Sequence, residues 1–336
     1  MKKTMITGTG RYLPPRIVTN NDLTKWMDTS SEWIQKRTGI EQRHWVEEEG
    51  GTGPADLGLE ASLIAMKRAG WTAGDIDLII FATLSPDVNF PGSGCLLQYK
   101  LGLESTPALD IRQQCTGFLY GLSTADAFIR SGLYNKILLV GAEVHSTGLD
   151  ITTRGRDVTV IFGDGAAAVC IEGIESDEQV GVLASSLHAQ GEFAKSLWLE
   201  APASMLNPRI SEKILDEGRH YPEMDGKLIF KMALKKLPEV TIEVLEKAGL
   251  NLDDIDLFIP HQANMRINQF YQKTMNIPKG KVFHNIQRYG NTTAATIPLA
   301  MDEALEMKLI GKGSTLLFLG LGAGVTWGAV IYRFAG

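Results

Sequence analysis

Cysteine is scarce in this chain: Cys95, Cys115 and Cys170 are the only three among 336 residues. They are too few and too scattered for a disulfide framework, and no CxxC pair suggests zinc. A reducing compartment is expected. Basic charge is also short. Lys and Arg number 33 against 39 Asp and Glu, a net charge of −6. Nucleic acid is therefore not expected as a partner, and an acidic partner would need a local basic patch. No apolar run approaches a membrane span, and the start at Lys2-Lys3 lacks the apolar stretch of a signal peptide. The expectation is a soluble cytoplasmic protein without membrane contact. A dinucleotide site is missing too. Gly8-Thr9-Gly10 on a first strand (Met5 to Leu13) has no third glycine, and Pro14-Pro15 block the helix that should follow. What remains is ordinary globular composition, at a length suited to about two domains or one duplicated domain.

The chain turns on Cys115. Pro107 to Ile111 reads as a buried strand. Phe118, Leu119, Leu122, Ala125, Phe128 and Ile129 then recur at helical spacing. A thiol on that strand-to-helix turn faces the unpaired N–H groups of the first helical turn, a field that favours the thiolate nucleophile. The plainer alternative is an inert core cysteine.

Asp22 to Arg37 reads as one helix carrying Trp26 and Trp33. These are either core residues or a stacking platform for a ring, with Arg37 near a phosphate. Asp77 to Thr83 is an unbroken apolar strand, as in a parallel sheet. Residues 191–226 hold Pro202, Pro208 and Pro222 and read as a long irregular excursion with a short helix near 211–215. Its Phe193, Leu197, Trp198, Leu199, Met205 and Leu206 suit either an interface or a cover over an apolar pocket.

The chain also repeats itself. Ala69-Gly70-Trp71 through Asp75-Ile76-Asp77-Leu78-Ile79-Ile80 returns as Ala248-Gly249-Leu250 through Asp254-Ile255-Asp256-Leu257-Phe258-Ile259, 179 positions on. Two similar βα halves, 1–175 and 176–336, are expected to pack together. The second half adds His261, just past a buried strand, and Asn291, on a turn opening a small-residue helix. Each has a structural alternative: a hydrogen-bonded core histidine and a helix N-cap. Each could instead donate to a developing oxyanion. Gly320 to Gly324 offers approachable backbone N–H groups.

Cys, His and Asn in this order fit a papain-like hydrolase on spacing, since 146 residues separate Cys115 from His261 against ~130–150 in that class. The cysteine signature of that class is absent, and a duplicated βα chain is wrong for it. The other match runs nearly end to end. Glu32-Trp33-Ile34, Arg37-Thr38-Gly39-Ile40, Asp110 to Phe118, Phe162-Gly163-Asp164-Gly165-Ala166, His261-Gln262-Ala263-Asn264, Gly290-Asn291-Thr292-Thr293-Ala294-Ala295 and Gly322-Ala323-Gly324-Val325-Thr326-Trp327-Gly328 resemble the β-ketoacyl-acyl-carrier-protein synthase III family, condensing enzymes of the thiolase fold.

The resemblance implies an α/β thiolase-like fold of layered αβαβα architecture. It implies a decarboxylative Claisen condensation in fatty acid initiation. Cys115 would take the acyl group of acyl-CoA, and His261 and Asn291 would hold the malonyl thioester while carbon dioxide leaves. The backbone N–H groups of Cys115 and Ala323 would form an oxyanion hole. Thr29, Trp33, Arg37, Arg156, Asn264 and Arg266 would bind CoA or pantetheine, with Trp33 and Arg156 sandwiching the adenine. Lys231, Arg266 and Lys273 would dock malonyl-acyl carrier protein. Phe90 would reach into the partner's acyl pocket in a homodimer. No metal and no cofactor beyond the CoA thioester substrates is implied. Gln113-Gln114, where small residues are expected, and an excursion longer than is usual in the family leave the starter open. So do an acyltransferase or a specialised-metabolite ketosynthase on the same scaffold.

Overall fold

The computed structural model describes residues 2–335. Nine strands form two sheets. We number them β1 (Lys2–Tyr12), β2 (Leu78–Ala82), β3 (Ala108–Ile111), β4 (Lys136–Glu143), β5 (Gly165–Glu175), β6 (Gly181–Ala189), β7 (Leu257–Pro260), β8 (Thr315–Gly322) and β9 (Thr326–Arg333). The first sheet runs β1-β5-β4-β2-β3 and the second β7-β8-β9-β6. Strand β2 is parallel to both neighbours, and β7 is parallel to β8. The remaining pairs in both sheets are antiparallel.

Four helices complete the layers: α1 (Pro54–Ala69), α2 (Gly117–Ser131), α3 (Gly226–Ala248) and α4 (Thr296–Glu306). Helix α1 covers the outer face of the first sheet and α3 that of the second, while α2 and α4 lie between the sheets. The central layer explains why α4 is buried almost all round, down to Asp302 and Glu303. Asp302 is held by Arg11 and Arg68, and Glu303 by Arg288 and Asn285. A buried carboxylate persists only with such partners. Among the described residues no helix is long and apolar enough to cross a membrane.

The 179-residue repeat extends well beyond the twelve residues visible in the sequence. Lys2 and Gly181 open β1 and β6, Ala69 and Ala248 close α1 and α3, and Leu78 and Leu257 open β2 and β7. Lys136 and Thr315 open β4 and β8, and Gly117 and Thr296 open α2 and α4. The register breaks at the next loop: residues 144–164 join β4 to β5, whereas only 323–325 join β8 to β9. The glycines of Gly8-Thr9-Gly10 have a packing reason. A Cβ on Gly8 would stand 2.3 Å from the Ala65 carbonyl and one on Gly10 2.4 Å from that of Ala61, so α1 can lie against β1 only over glycine.

Two sequence expectations need correction. The run 107–111 is not buried: β3 is the outermost strand, and Leu109 and Asp110 are exposed. Nor is 22–37 one helix. Thr19 caps Asn20–Leu23, and Ser30 caps Ser31–Thr38 by accepting the Trp33 N–H at 3.1 Å. A Ser in extended conformation (φ −146°) starts a helix rather than continuing one. The break parts the two tryptophans. Trp26 stacks on Trp45, with centroids 6.0 Å apart, and Trp33 goes to the site.

Candidate active site

A cavity of about 700 Å³ opens between the halves, and Cys115, His261, Asn291, Trp33, Arg37 and Arg266 all line it. Cys115 stands in the 3-10 turn Gln114–Thr116 that leads into α2. Gln114 is held at φ 45°, a left-handed conformation unusual for a residue with a side chain. The turn packs against β8: a Cβ on Gly322 would lie 2.8 Å from Cys115 Sγ and 2.4 Å from its Cβ. Glycine there makes room for the nucleophile. Gly322→Ala should therefore displace the thiol and lower turnover ~10²-fold, the scale of a ~1 Å misplacement, with loading rate by intact-protein mass as the check.

Burial dominates the electrostatics. It pushes the Cys115 thiol up to about 12, with the charge of Glu143 adding to the effect. The N–H groups of Ala323 and of Cys115 itself bond the sulfur and act the other way. The N–H groups that favour the thiolate are thus those of Ala323 and Cys115 rather than those of the first turn of α2, and desolvation outweighs them, so the resting thiol is protonated. Glu143 is itself buried and raised to about 7 by desolvation, although it accepts from Thr83, Leu84 and Ser85. No sequence pattern pointed to it.

His261 follows β7, with its N–H donating to Leu319 at 2.7 Å. Its Nδ1 lies 2.6 Å from Thr296 Oγ1, while its buried Nε2 has no protein partner. Burial pushes the ring down to about 3, so it is neutral. Asn291 is not an N-cap. Its Oδ1 accepts the Thr293 N–H at 2.8 Å, which leaves the amide Nδ2 to act as donor. Its backbone is clamped by Ile161 and Gly163: Asn291 N–H donates to Ile161 at 2.9 Å, and Gly163 N–H donates to Asn291 at 3.1 Å. A Cβ on Gly163 would stand 2.3 Å from the Tyr289 carbonyl, a physical reason for the glycine after Phe162. Asp164 secures the same segment by accepting from Val46, His145 and Ser146.

At the mouth, Arg37 Cζ lies 4.1 Å and Arg156 Cζ 4.6 Å from the Trp33 ring centroid. Those are single stacking distances, so the slot expected between Trp33 and Arg156 is closed. Arg156 donates instead to the Asp28 carbonyl at 2.7 Å. Asn264 caps the helix Met265–Thr274 and donates to the Arg37 carbonyl at 3.0 Å. Thr29 lies next to Asp28 with its hydroxyl buried and unpartnered, and neither it nor Arg156 lines the cavity. Lys231 and Lys273 are exposed on α3 and on the helix Met265–Thr274. Phe90 is 81% exposed and away from the cavity. Leu197, one of the excursion's apolar residues, lines it, and sequence reasoning gave no site role to Met224, Phe230 and Ile267, which line it too; as isolated apolar residues these three carry no signal of their own.

Residues 109–191 match the family described as 3-Oxoacyl-[acyl-carrier-protein (ACP)] synthase III, and residues 245–334 match its C-terminal part. A protein of Koribacter versatilis named Beta-ketoacyl-[acyl-carrier-protein] synthase III is 41% identical over 100% of this chain and 99% of its own length. The chain belongs to the 3-oxoacyl-acyl-carrier-protein synthase III family. The solved synthase III of Aquifex aeolicus is 40% identical, with a TM-score of 0.88 over 98% of this chain and 100% of that one. The priming β-ketosynthase of the R1128 polyketide pathway superposes as well, at TM-score 0.88 and 28% identity over 99% and 97% of the two chains. The two matched stretches of the synthase III family hold Cys115, His261 and Asn291. Most of the excursion falls between them.

Proposed function

We propose that this condensing enzyme loads an acyl group from acyl-CoA onto Cys115 and extends it with malonyl-acyl carrier protein, giving 3-oxoacyl-acyl carrier protein. The observation that carries the reading is a buried thiol under the Ala323 N–H that shares one cavity floor with an unpartnered His261 Nε2 and the free amide of Asn291. In the first half-reaction Cys115 Sγ attacks the thioester carbon and the carbon–sulfur bond to CoA breaks. The Cys115 and Ala323 N–H groups stabilise the oxyanion, and the thiol proton ends on CoA. In the second, the malonyl C–C bond breaks and carbon dioxide leaves. His261 and Asn291 hold the enolate oxygen, each worth ~10²–10³ in rate. The carbanion attacks the acyl carbon, and Cys115 leaves as a thiolate that regains its proton from solvent. CoA thioesters are substrates, and the scheme calls for no resident metal or cofactor.

A homodimer fits the exposed edge of β3 and the projecting Phe90, since an uncovered edge strand invites a partner. Lys231, Arg266 and Lys273 would dock the acidic carrier, and binding of the CoA adenine between Trp33 and Arg156 would require Arg156 to leave Trp33. A cytoplasmic location follows from such partners. The excursion divides between its two readings. Leu197 and Met224, paired in a short ribbon, wall the cavity, whereas Leu199 and Met205 face outward. The ribbon is the cover, and the outer part is left to an interface. Incubation with a panel of acyl-CoAs, followed by intact-protein mass and then by malonyl-acyl carrier protein, tests the scheme. One acyl adduct on Cys115, consumed with release of carbon dioxide, is expected. No adduct from any acyl-CoA would reject it. A starter larger than acetyl would favour a specialised ketosynthase role.

A further inference from the structure

The residues from Thr293 to Thr296 touch both donors of the site. Thr293 is fully buried and held at φ 49°, a conformation that a β-branched residue adopts only under constraint. Its N–H orients the Asn291 amide, and its Oγ1 lies 2.7 Å from His145 Nε2. One turn on, Thr296 Oγ1 lies between two groups: His261 Nδ1 at 2.6 Å and the Thr293 carbonyl at 3.0 Å.

We infer that Thr296 is a positioning residue that selects the tautomer of His261, its hydroxyl donating to Nδ1 so that the ring proton sits on Nε2, facing the substrate. This rests on the function proposed above. Three observations carry it. The 2.6 Å contact sets a hydroxyl, a group able to donate, directly against Nδ1. The hydroxyl has two acceptors within reach, the Thr293 carbonyl at 3.0 Å and Nδ1 at 2.6 Å, and Nδ1 is the nearer, while that carbonyl also accepts the Thr296 backbone N–H. And Nε2 is the one ring nitrogen with no protein partner, at the cavity wall. With the opposite tautomer a bare Nε2 lone pair would face the thioester oxygen, two acceptors opposed where charge develops. One short segment thus sets which atom faces the substrate on both donors: Nδ2 of Asn291 through Thr293, and Nε2–H of His261 through Thr296.

The test compares Thr296→Val, which keeps shape and removes the hydroxyl, with Thr296→Ser, which keeps the hydroxyl. In Thr296→Val, loading of Cys115 from acyl-CoA should stay within about twofold of the parent, while malonyl thioester decarboxylation falls ~10²-fold, the scale of one lost oxyanion donor. The loss should lie in kcat rather than KM, and Thr296→Ser should recover most of it. Nitrogen-15 NMR of the histidine rings in the unsubstituted protein, with His261 assigned from its absence in His261→Gln, should find the proton on Nε2. Unchanged decarboxylation in Thr296→Val overturns the inference, as does equal loss of both half-reactions without rescue by Ser. A proton found on Nδ1 overturns it whether or not the Val variant folds. If the unsubstituted protein neither loads nor decarboxylates, the proposed function fails, and the NMR result still decides the tautomer.

Discussion

Cys115→Ser should lose condensation by ~10³-fold or more and yield no acyl adduct, because a serine hydroxyl has neither the acidity nor the intrinsic nucleophilicity of a thiol. The fold should survive. Serine is smaller than cysteine, and the Ala323 N–H that bonds Sγ can bond Oγ, so the melting temperature should move by only a few degrees. Condensation rate, intact mass and a thermal scan are the three measurements. A variant that condenses at the parental rate would remove Cys115 from the mechanism. Alkylation is the wrong probe here. Cys95 is exposed, and Cys115 is buried and protonated, so iodoacetamide should find Cys95 first. A thioester substrate reaches Cys115 where a small alkylating agent gains nothing, because the oxyanion hole acts on a carbonyl.

The second large effect is a split between half-reactions. His261→Ala should form acyl-Cys115 within about tenfold of the parental rate and lose malonyl decarboxylation by ~10²–10³-fold. A neutral ring with its proton on Nε2 is a donor and offers no lone pair to the thiol. Asn291→Ala should behave alike in chemistry but also leave the Thr293 N–H buried without its partner, at a cost of about 1–3 kcal/mol. Asn291→Asp separates the two effects: it keeps the bond to Thr293 and replaces the amide donor by an acceptor. That variant should load acyl-CoA and fail to decarboxylate. Adduct formation by mass and carbon dioxide release from malonyl thioester are the paired readouts. Loss of loading together with decarboxylation in all three variants would instead make His261 the base for the thiol, as in a hydrolase.

The sequence made the cavity floor legible because its polar residues stand where polar residues are out of place. Cys115 sits on a strand-to-helix turn, His261 just past a buried strand, and Asn291 on a glycine-led turn. The duplication was legible from twelve residues because that stretch holds the helix C-cap, a capped 3-10 turn and the start of a buried strand, each with strong local chemistry. Three things were not legible. An apolar strand looks the same at a sheet's edge as at its centre, so β3 was misjudged. The protonation of Cys115 depends on burial, a tertiary quantity that reversed the local field. Arg37 is a helical neighbour of Trp33 four residues on, but the stacking of Arg156 on Trp33 depends on how the loop 144–164 and the segment holding 31–38 fold toward each other, and no spacing within either one encodes that.

The equal offset of the two halves has one further consequence. Counting 179 from Cys115 arrives at Ala294, in a 3-10 turn, Thr293–Ala295, that copies Gln114–Thr116 down to its left-handed first residue, φ 49° against 45°. One copy presents a sulfur, and the other presents nothing of its own but holds the groups that orient His261 and Asn291. The copies meet back to back, where a Cβ on Gly117 would stand 3.1 Å from that of Ala294. The gap between the nucleophile's turn and the turn beside Asn291 is thus a thickness, the width of two abutting turns in a close-packed layer, and not the reach of any mobile segment. It behaves like the gauge of a railway: insertions in the surface loops leave it unchanged, and a single added methyl group at the seam widens it.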